Sequence, residues 1–293
     1  IKIWNLNDKI CKLTLKHNDL ISSFCFNYNG TKIASVSRDK KIRIWDAING
    51  NLLSEGNGHL GAKSSRIVWL GNTNRLATTG FDRFSERQLG LWNSDDLSLG
   101  PINGFISIDS SSGTLMPFFD PSTNLLFIAG KGDGNVRYFE FADDDLHLLN
   151  EYPSTEAHRG FAVSPKRFVN LKENEILRAY KLLNDNSIEP LSFIVPRRSE
   201  MFQDDIYPDA PSDKPALTAD EFFSGKTVNG PILCSLRDIY DGKTPAFSES
   251  KPEVKEPEKK DEPKEPKVEP KVEQKVEPKV EQKTEKVEEP RPV

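Results

Sequence analysis

Two stretches of this chain carry the residue types of a nucleophile, a base and an orienting acid. His17, Ser35 and Asp39 form one set, and His59, Thr78 and Asp82 form a second. A hydroxyl beside an imidazole that is held by a carboxylate is an arrangement for acyl transfer. A third stretch, Gly130-Lys131-Gly132-Asp133-Gly134, has the glycine density of a loop that cradles phosphate. Neither chemistry fits its surroundings. Catalysis does not require its triad once per repeat, and each set is followed by a tryptophan, Trp45 or Trp92. The glycine stretch runs into Val136-Arg137-Tyr138-Phe139, an extended pattern, whereas a phosphate loop opens a helix. A strand-to-strand turn is expected there. Cys11, Cys25 and Cys234 are sparse, with no Cys-x-x-Cys pair, which fits a reduced cytoplasmic protein better than a zinc site or a disulfide framework. No enzymatic activity, metal or cofactor is expected.

The elements that must position these residues recur at a roughly fixed spacing. Ile1-Lys2-Ile3-Trp4-Asn5 returns as Ile42-Arg43-Ile44-Trp45-Asp46 and as Leu89-Gly90-Leu91-Trp92-Asn93. Weaker copies are Val136-Arg137-Tyr138-Phe139-Glu140 and Leu177-Arg178-Ala179-Tyr180-Lys181. The aromatics therefore fall at 4, 45, 92, 139 and 180. A β-run with this ending, repeated every 40–47 residues or so, is the mark of a WD-repeat β-propeller, one four-stranded blade per repeat. The fold class is accordingly all-β. Propellers present loops to other proteins more often than they do chemistry.

The clearest repeat runs from His17 through Ile21–Phe26, the turn Asn27-Tyr28-Asn29-Gly30, Lys32–Ser37, Arg38-Asp39-Lys40 and the strand ending at Trp45. Asn29-Gly30-Thr31 matches a glycosylation acceptor, but between two β-runs Asn-Gly reads as a hairpin turn. In WD repeats a His, a Ser or Thr, an Asp and a Trp form a buried hydrogen-bonded set. The resemblance implies that role for His17, Ser35, Asp39 and Trp45. It implies the same for His59, Thr78, Asp82 and Trp92, with four extra residues between Asp82 and Trp92. Such a chain can satisfy itself, since an indole N–H only donates, a carboxylate only accepts, and an imidazole does both.

Composition divides the chain. Residues 251–293 hold 11 Lys, 1 Arg, 12 Glu, 1 Asp and 8 Pro, with no aromatic and no glycine. Proline at this density breaks any helical stripe of valines, and the mixed charge with few apolar groups predicts an extended, disordered linker. The formal net charge of −5 gives no bulk attraction to nucleic acid. No apolar run is long enough to insert into a membrane.

Segments that depart from the repeat are the most specific. They include Thr79-Gly80-Phe81-Asp82-Arg83-Phe84-Ser85-Glu86-Arg87-Gln88, Leu115-Met116-Pro117-Phe118-Phe119-Asp120-Pro121, Val195-Pro196-Arg197-Arg198-Ser199-Glu200-Met201-Phe202-Gln203-Asp204-Asp205-Ile206-Tyr207-Pro208 and Pro215-Ala216-Leu217-Thr218-Ala219-Asp220-Glu221. In this order they resemble coronin, the actin-associated WD-repeat family, from residue 1 to about 242. The resemblance implies an incomplete propeller at 1–190 (about four to five of seven blades), with the chain truncated at its N-terminus. It also implies a packed extension at 191–242 and a linker at 243–293. A capping box at Thr218 to Glu221 predicts a short helix that Gly225 can stop. The Lys/Glu-rich tail resembles that of fungal coronins, with a coiled coil expected beyond Val293. The implied function is non-catalytic binding of actin filaments, with regulation of actin organisation and branching at the cytoskeleton. Implied partners are actin filaments, the actin-branching complex through missing C-terminal regions, and microtubules through the tail. The alternative is a WD-repeat adaptor for trafficking or ubiquitin machinery. Turn cations Arg38, Lys40 and Arg83, with Lys41, Lys63 and Arg87 nearby, are the candidate contacts to an acidic filament.

Overall fold

Runs of Ile, Val, Leu and Phe closed by turns of Gly, Asn and Asp fold into short antiparallel strands, each sheet made from consecutive segments. The computed structural model describes residues 1–198 and 201–252. A two-stranded sheet comes first, β1 (Lys2–Asn5) with β2 (Ile10–Thr14). Three four-stranded sheets follow. The first holds β3 (Ile21–Phe26), β4 (Lys32–Ser37), β5 (Lys41–Asp46) and β6 (Leu52–Asn57). The second holds β7 (Arg66–Trp69), β8 (Arg75–Phe81), β9 (Arg87–Asn93) and β10 (Ile102–Asp109). The third holds β11 (Leu115–Asp120), β12 (Leu125–Gly130), β13 (Val136–Ala142) and β14 (Asp145–Tyr152). A three-stranded sheet of β15 (His158–Val163), β16 (Glu175–Leu183) and β17 (Ile188–Ile194) closes the series.

Strands pair in chain order within each sheet, and β3 packs on β7 as β7 packs on β11. These are propeller blades. The middle strands are covered on both faces by neighbouring sheets. In β4 every residue from Ile33 to Ser37 is buried, so apolar and hydroxyl side chains run together without an exposed face. The expected Asn27–Gly30 turn is present, with the Gly30 N–H donating to the Asn27 carbonyl at 3.1 Å. The Gly130–Gly134 stretch is the turn between β12 and β13, as its sequence context predicts.

Two boundaries move. Trp45, Trp92 and Phe139 lie on third strands, but Tyr180 lies on β16, a second strand, and is 40 % exposed. The third strand of that sheet is β17, which carries Phe193 and runs across residue 190, where the propeller was expected to end. A β-run that ends in an aromatic reads the same on a second or a third strand, so the weak copy at 177–181 misled the register. Likewise Phe247–Glu249, expected in the linker, forms β20, paired with β19 (Ile232–Cys234), which also pairs β18 (Ala210–Pro211). Backbone pairing with β19 holds this polar segment where composition gives no cue. Of the linker expected over 243–293, residues 253–293 lie outside the described residues.

The segment after β17 crosses back over the blades. Tyr207 is buried and donates its hydroxyl to the Glu175 carbonyl at 2.9 Å. The predicted helix forms as α1 (Ala219–Phe223), with both capping-box bonds present, and Gly225 follows at φ +90°. Phe222 packs against Leu15, Ile33, Trp45 and Ala47. The Ser250 hydroxyl lies 3.2 Å from that of Tyr28. No helix among the described residues is long and apolar enough to cross a membrane.

Seams between blades carry ion pairs. Arg75 makes a bidentate pair with Asp144 at 2.7 and 2.5 Å. Arg87, expected on the surface, is 1 % exposed. Its guanidinium forks onto Asp109 at 2.6 and 2.5 Å and reaches Asp133 of the next blade at 2.7 Å. Arg137 also reaches Asp109, at 3.0 Å. Arg87→Met would leave largely buried Asp133 without its cation and Asp109 with Arg137 alone. The expected loss is about 3–5 kcal/mol, measured by chemical denaturation, with partial recovery in Arg87→Met/Asp133→Asn. An unchanged midpoint for the single variant would contradict the assignment.

Candidate functional site: a basic groove on the blade turns

The loop between β6 and β7 is pinned to the β4–β5 turn and to the end of β8. The Gly58 N–H donates to the Lys40 carbonyl at 2.8 Å, and the Gly61 N–H donates to the Phe81 carbonyl at 2.7 Å. The β4–β5 turn is itself closed by Lys40, at φ +66°, whose N–H donates to Ser37, and by the Arg38 N–H donating to Leu20 at 2.8 Å. These bonds shape a groove of about 540 Å³ lined by Arg38, Lys40 and Lys63, with Ser22, Ser64 and Ser65 among its other walls.

Three cations therefore share a wall that no carboxylate lines among the described residues. The Lys40 ammonium donates to the Leu60 carbonyl at 2.7 Å, and that of Lys63 to the Ser112 carbonyl at 3.1 Å. Lys63 also sits 4.6 Å from the Phe81 ring centroid, a cation–π contact. Carbonyl oxygens orient these ammoniums without cancelling their charge. Asp39, between Arg38 and Lys40, is turned inward onto Arg43, at 2.6 and 3.2 Å.

Of the six cations expected at this face, Arg38, Lys40 and Lys63 converge. Arg83 is exposed on the adjacent β8–β9 turn and does not line the groove. Two are corrections. The Lys41 ammonium is paired with Glu55, and Arg87 is buried in the seam described above. In sequence both are basic residues next to turns, but each begins a strand whose side is covered by acidic partners.

The buried sets beneath the groove form in part. The His17 Nδ1–H donates to the Leu15 carbonyl at 3.2 Å, which leaves Nε2 to accept from Ser35 Oγ at 2.8 Å. Ser35 Oγ in turn accepts from the Trp45 indole at 2.9 Å. His59, Thr78 and Trp92 repeat the chain at 2.9 and 2.7 Å. The aspartates depart from expectation. Asp39 accepts from Ser37, Arg43 and the Lys41 N–H instead of His17. Burial alone would raise its carboxyl, but those donors hold it at about 2. Asp82 accepts from the N–H groups of Phe84 and Glu86, both at 2.8 Å, because the four extra residues after it bring their amides closer than an imidazole. Residues that sequence reasoning missed are Arg43 and Glu55, whose pair at 2.8 Å completes the Asp39 network. Lys166, with 2.7 Å to buried Asp120, was also missed.

Thr78 is fully buried and its hydroxyl serves both neighbours. Thr78→Val keeps the shape but orphans an indole N–H and an imidazole nitrogen. It should cost about 3 kcal/mol in a denaturation midpoint, with Thr78→Ser nearly neutral. Burial lowers the His59 pKa to about 4 from an unfolded value of 6.5. The unfolded chain thus takes up a proton first, so stability is full above pH 6.5 and falls as pH drops toward 4. Melting temperatures between pH 7 and 4.5 should show this fall, shallower in His59→Gln.

Comparison with known proteins agrees with the architecture. The family described as "WD domain, G-beta repeat" matches residues 9–46, and a "type of WD40 repeat" matches residues 188–229. A coronin-like protein of Saccharomyces cerevisiae is 56% identical over 251 residues, covering 86% of this chain and 39% of that protein. A coronin-like protein of Schizosaccharomyces pombe is 51% identical, covering 83% and 40%, and human Coronin-2A is 43% identical, covering 81% and 46%. The chain spans about two fifths of the length of these curated relatives. Among solved structures, the WD40 domain of Toxoplasma gondii coronin superposes with a TM-score of 0.73 at 29% identity, over 85% of this chain and 61% of that one. Blade order, the His–hydroxyl–Trp sets and these identities agree: the chain belongs to the coronin family of WD-repeat propellers.

Proposed function

We propose that this chain binds actin filaments through the groove of Arg38, Lys40 and Lys63, with Arg83 extending the same basic surface. The observation that carries this reading is three cations on one groove wall, none paired with a carboxylate among the described residues. A filament presents an acidic surface, and complementary charge speeds encounter and sets register. Lys40 and Lys63, held by backbone carbonyls, meet it already oriented, so little of their side-chain entropy is lost on contact. Regulation of filament organisation and branching belongs to the same proposal. Contacts with the branching complex or microtubules are assigned to segments outside the described residues, and the site of action is the actin cytoskeleton.

Co-sedimentation of the full-length protein with filaments tests this. Arg38→Glu/Lys40→Glu/Lys63→Glu should weaken pelleting by about tenfold or more at low salt, and the wild-type affinity should itself fall as salt rises. The triple variant should melt like the wild type, because these side chains lie on turns and not in the core. Pelleting unaffected by the triple change would exclude the groove as the filament contact.

A further inference from the structure

The β8–β9 turn is built to hold one aromatic side chain in solvent. Phe84 is 87 % exposed, more than any other aromatic among the described residues. Nothing about its turn is loose. The Asp82 carboxylate accepts from the N–H groups of Phe84 and Glu86, both at 2.8 Å, and the Asp82 N–H donates to the Glu86 carbonyl at 2.9 Å. Ser85 takes φ +69°, which completes the reversal. The turn is also anchored from below. Gly61 packs so closely on it that a Cβ there would lie 2.5 Å from Phe81 Cβ and 2.7 Å from the Asp82 carbonyl oxygen. Four residues separate this turn from its counterpart in the preceding blade, since Asp39 stands six before Trp45 and Asp82 ten before Trp92. Those additional residues are Arg83, Phe84, Ser85 and Glu86.

A folded chain gains nothing by ordering an apolar ring in water. Interfaces gain much from a rigid aromatic whose conformational cost is met in advance. The surroundings indicate what the ring meets. Gly61 and Lys63 belong to the groove wall, Lys63 lies over Phe81, and exposed Arg83 directly precedes Phe84. The ring thus stands on a turn that carries exposed Arg83 and Glu86, and the loop holding Lys63 packs against that turn through Gly61. We propose that Phe84 is an apolar anchor that enters a carboxylate-rimmed apolar cleft on a filament subunit, while Arg83 and the groove cations engage the rim. The inference rests on the filament-binding reading and adds the contact that charge alone does not supply. Aromatic anchors ringed by polar contacts dominate the binding energy of many interfaces.

Salt separates the two contributions. In co-sedimentation of the full-length protein, Phe84→Ala should weaken filament binding about tenfold, by a similar factor at low and moderate salt. The charge-reversal variant should lose most at low salt. Phe84→Leu should recover part of the affinity. Asp82→Ala, which frees the turn but keeps the ring, should give a smaller loss than Phe84→Ala. Since Phe84 packs against nothing in the core, the Phe84→Ala melting curve should match the wild type and exclude misfolding. If wild type pellets and Phe84→Ala pellets equally, the anchor is wrong and filament binding stands. If a folded wild type fails to pellet, both readings fall. Self-association that Phe84→Ala abolishes, with filament affinity unchanged, would also overturn the assignment and make the ring a contact between copies.

Discussion

A guanidinium shut between carboxylates at a blade seam shows the constraint under which the whole chain is organised. Blades stack face to face, so their middle strands have no solvent side, and each polar group there must find a partner on its own sheet or across the seam. Arg87 meets that demand with Asp109 on its own outer strand and Asp133 on the next blade. The Thr79 hydroxyl does it with the Leu115 carbonyl, and Ser22 with Ser65. A half-completed network of this kind is worse than an apolar seam, because a buried charge without its partner is more costly than no charge. Polar closure therefore ties neighbouring blades together at named points, and apolar packing fills the space between.

The same requirement separates structure from recognition on the turn face. Asp39 and Arg43 look inward and cancel each other, whereas Arg38 and Lys40, on the same turn, look outward. Three consecutive residues thus divide their work by direction. The turn presents only its cations to the groove because its own aspartate, Asp39, is committed to the blade beneath it. Lys41, one residue further on, is drawn back to Glu55 and joins the scaffold.

Much of this was legible in the residues. Period-two runs ending in Trp45 and Trp92, with Asn-Gly and Asp-containing turns, specify blades because strand and turn chemistry act locally. The His17–Ser35–Trp45 and His59–Thr78–Trp92 chains followed from donors and acceptors that have few other ways to be satisfied. What was not legible depended on which side chain wins a contested partner. Asp39 had both His17 and Arg43 within reach of its turn, and a guanidinium with two donors outcompetes an imidazole already served by the Leu15 carbonyl. Arg87 read as a surface cation because its partners lie 22 and 46 residues away. Tyr180 copied the ending of a third strand while standing on a second, since a β-run closed by an aromatic has the same residue pattern on either strand.

The segment from Tyr207 to Ser250 touches the last blade at Glu175, the first blades at Trp45 and Ala47, and the turn at Tyr28. Geometrically it is a chord drawn across an arc of blades. A chord of fixed length sets the curvature of its arc, so residues removed from this stretch would alter the angle at which successive blades meet. The connecting segment thereby acts as a ruler, and its length is as much a determinant of propeller shape as any strand.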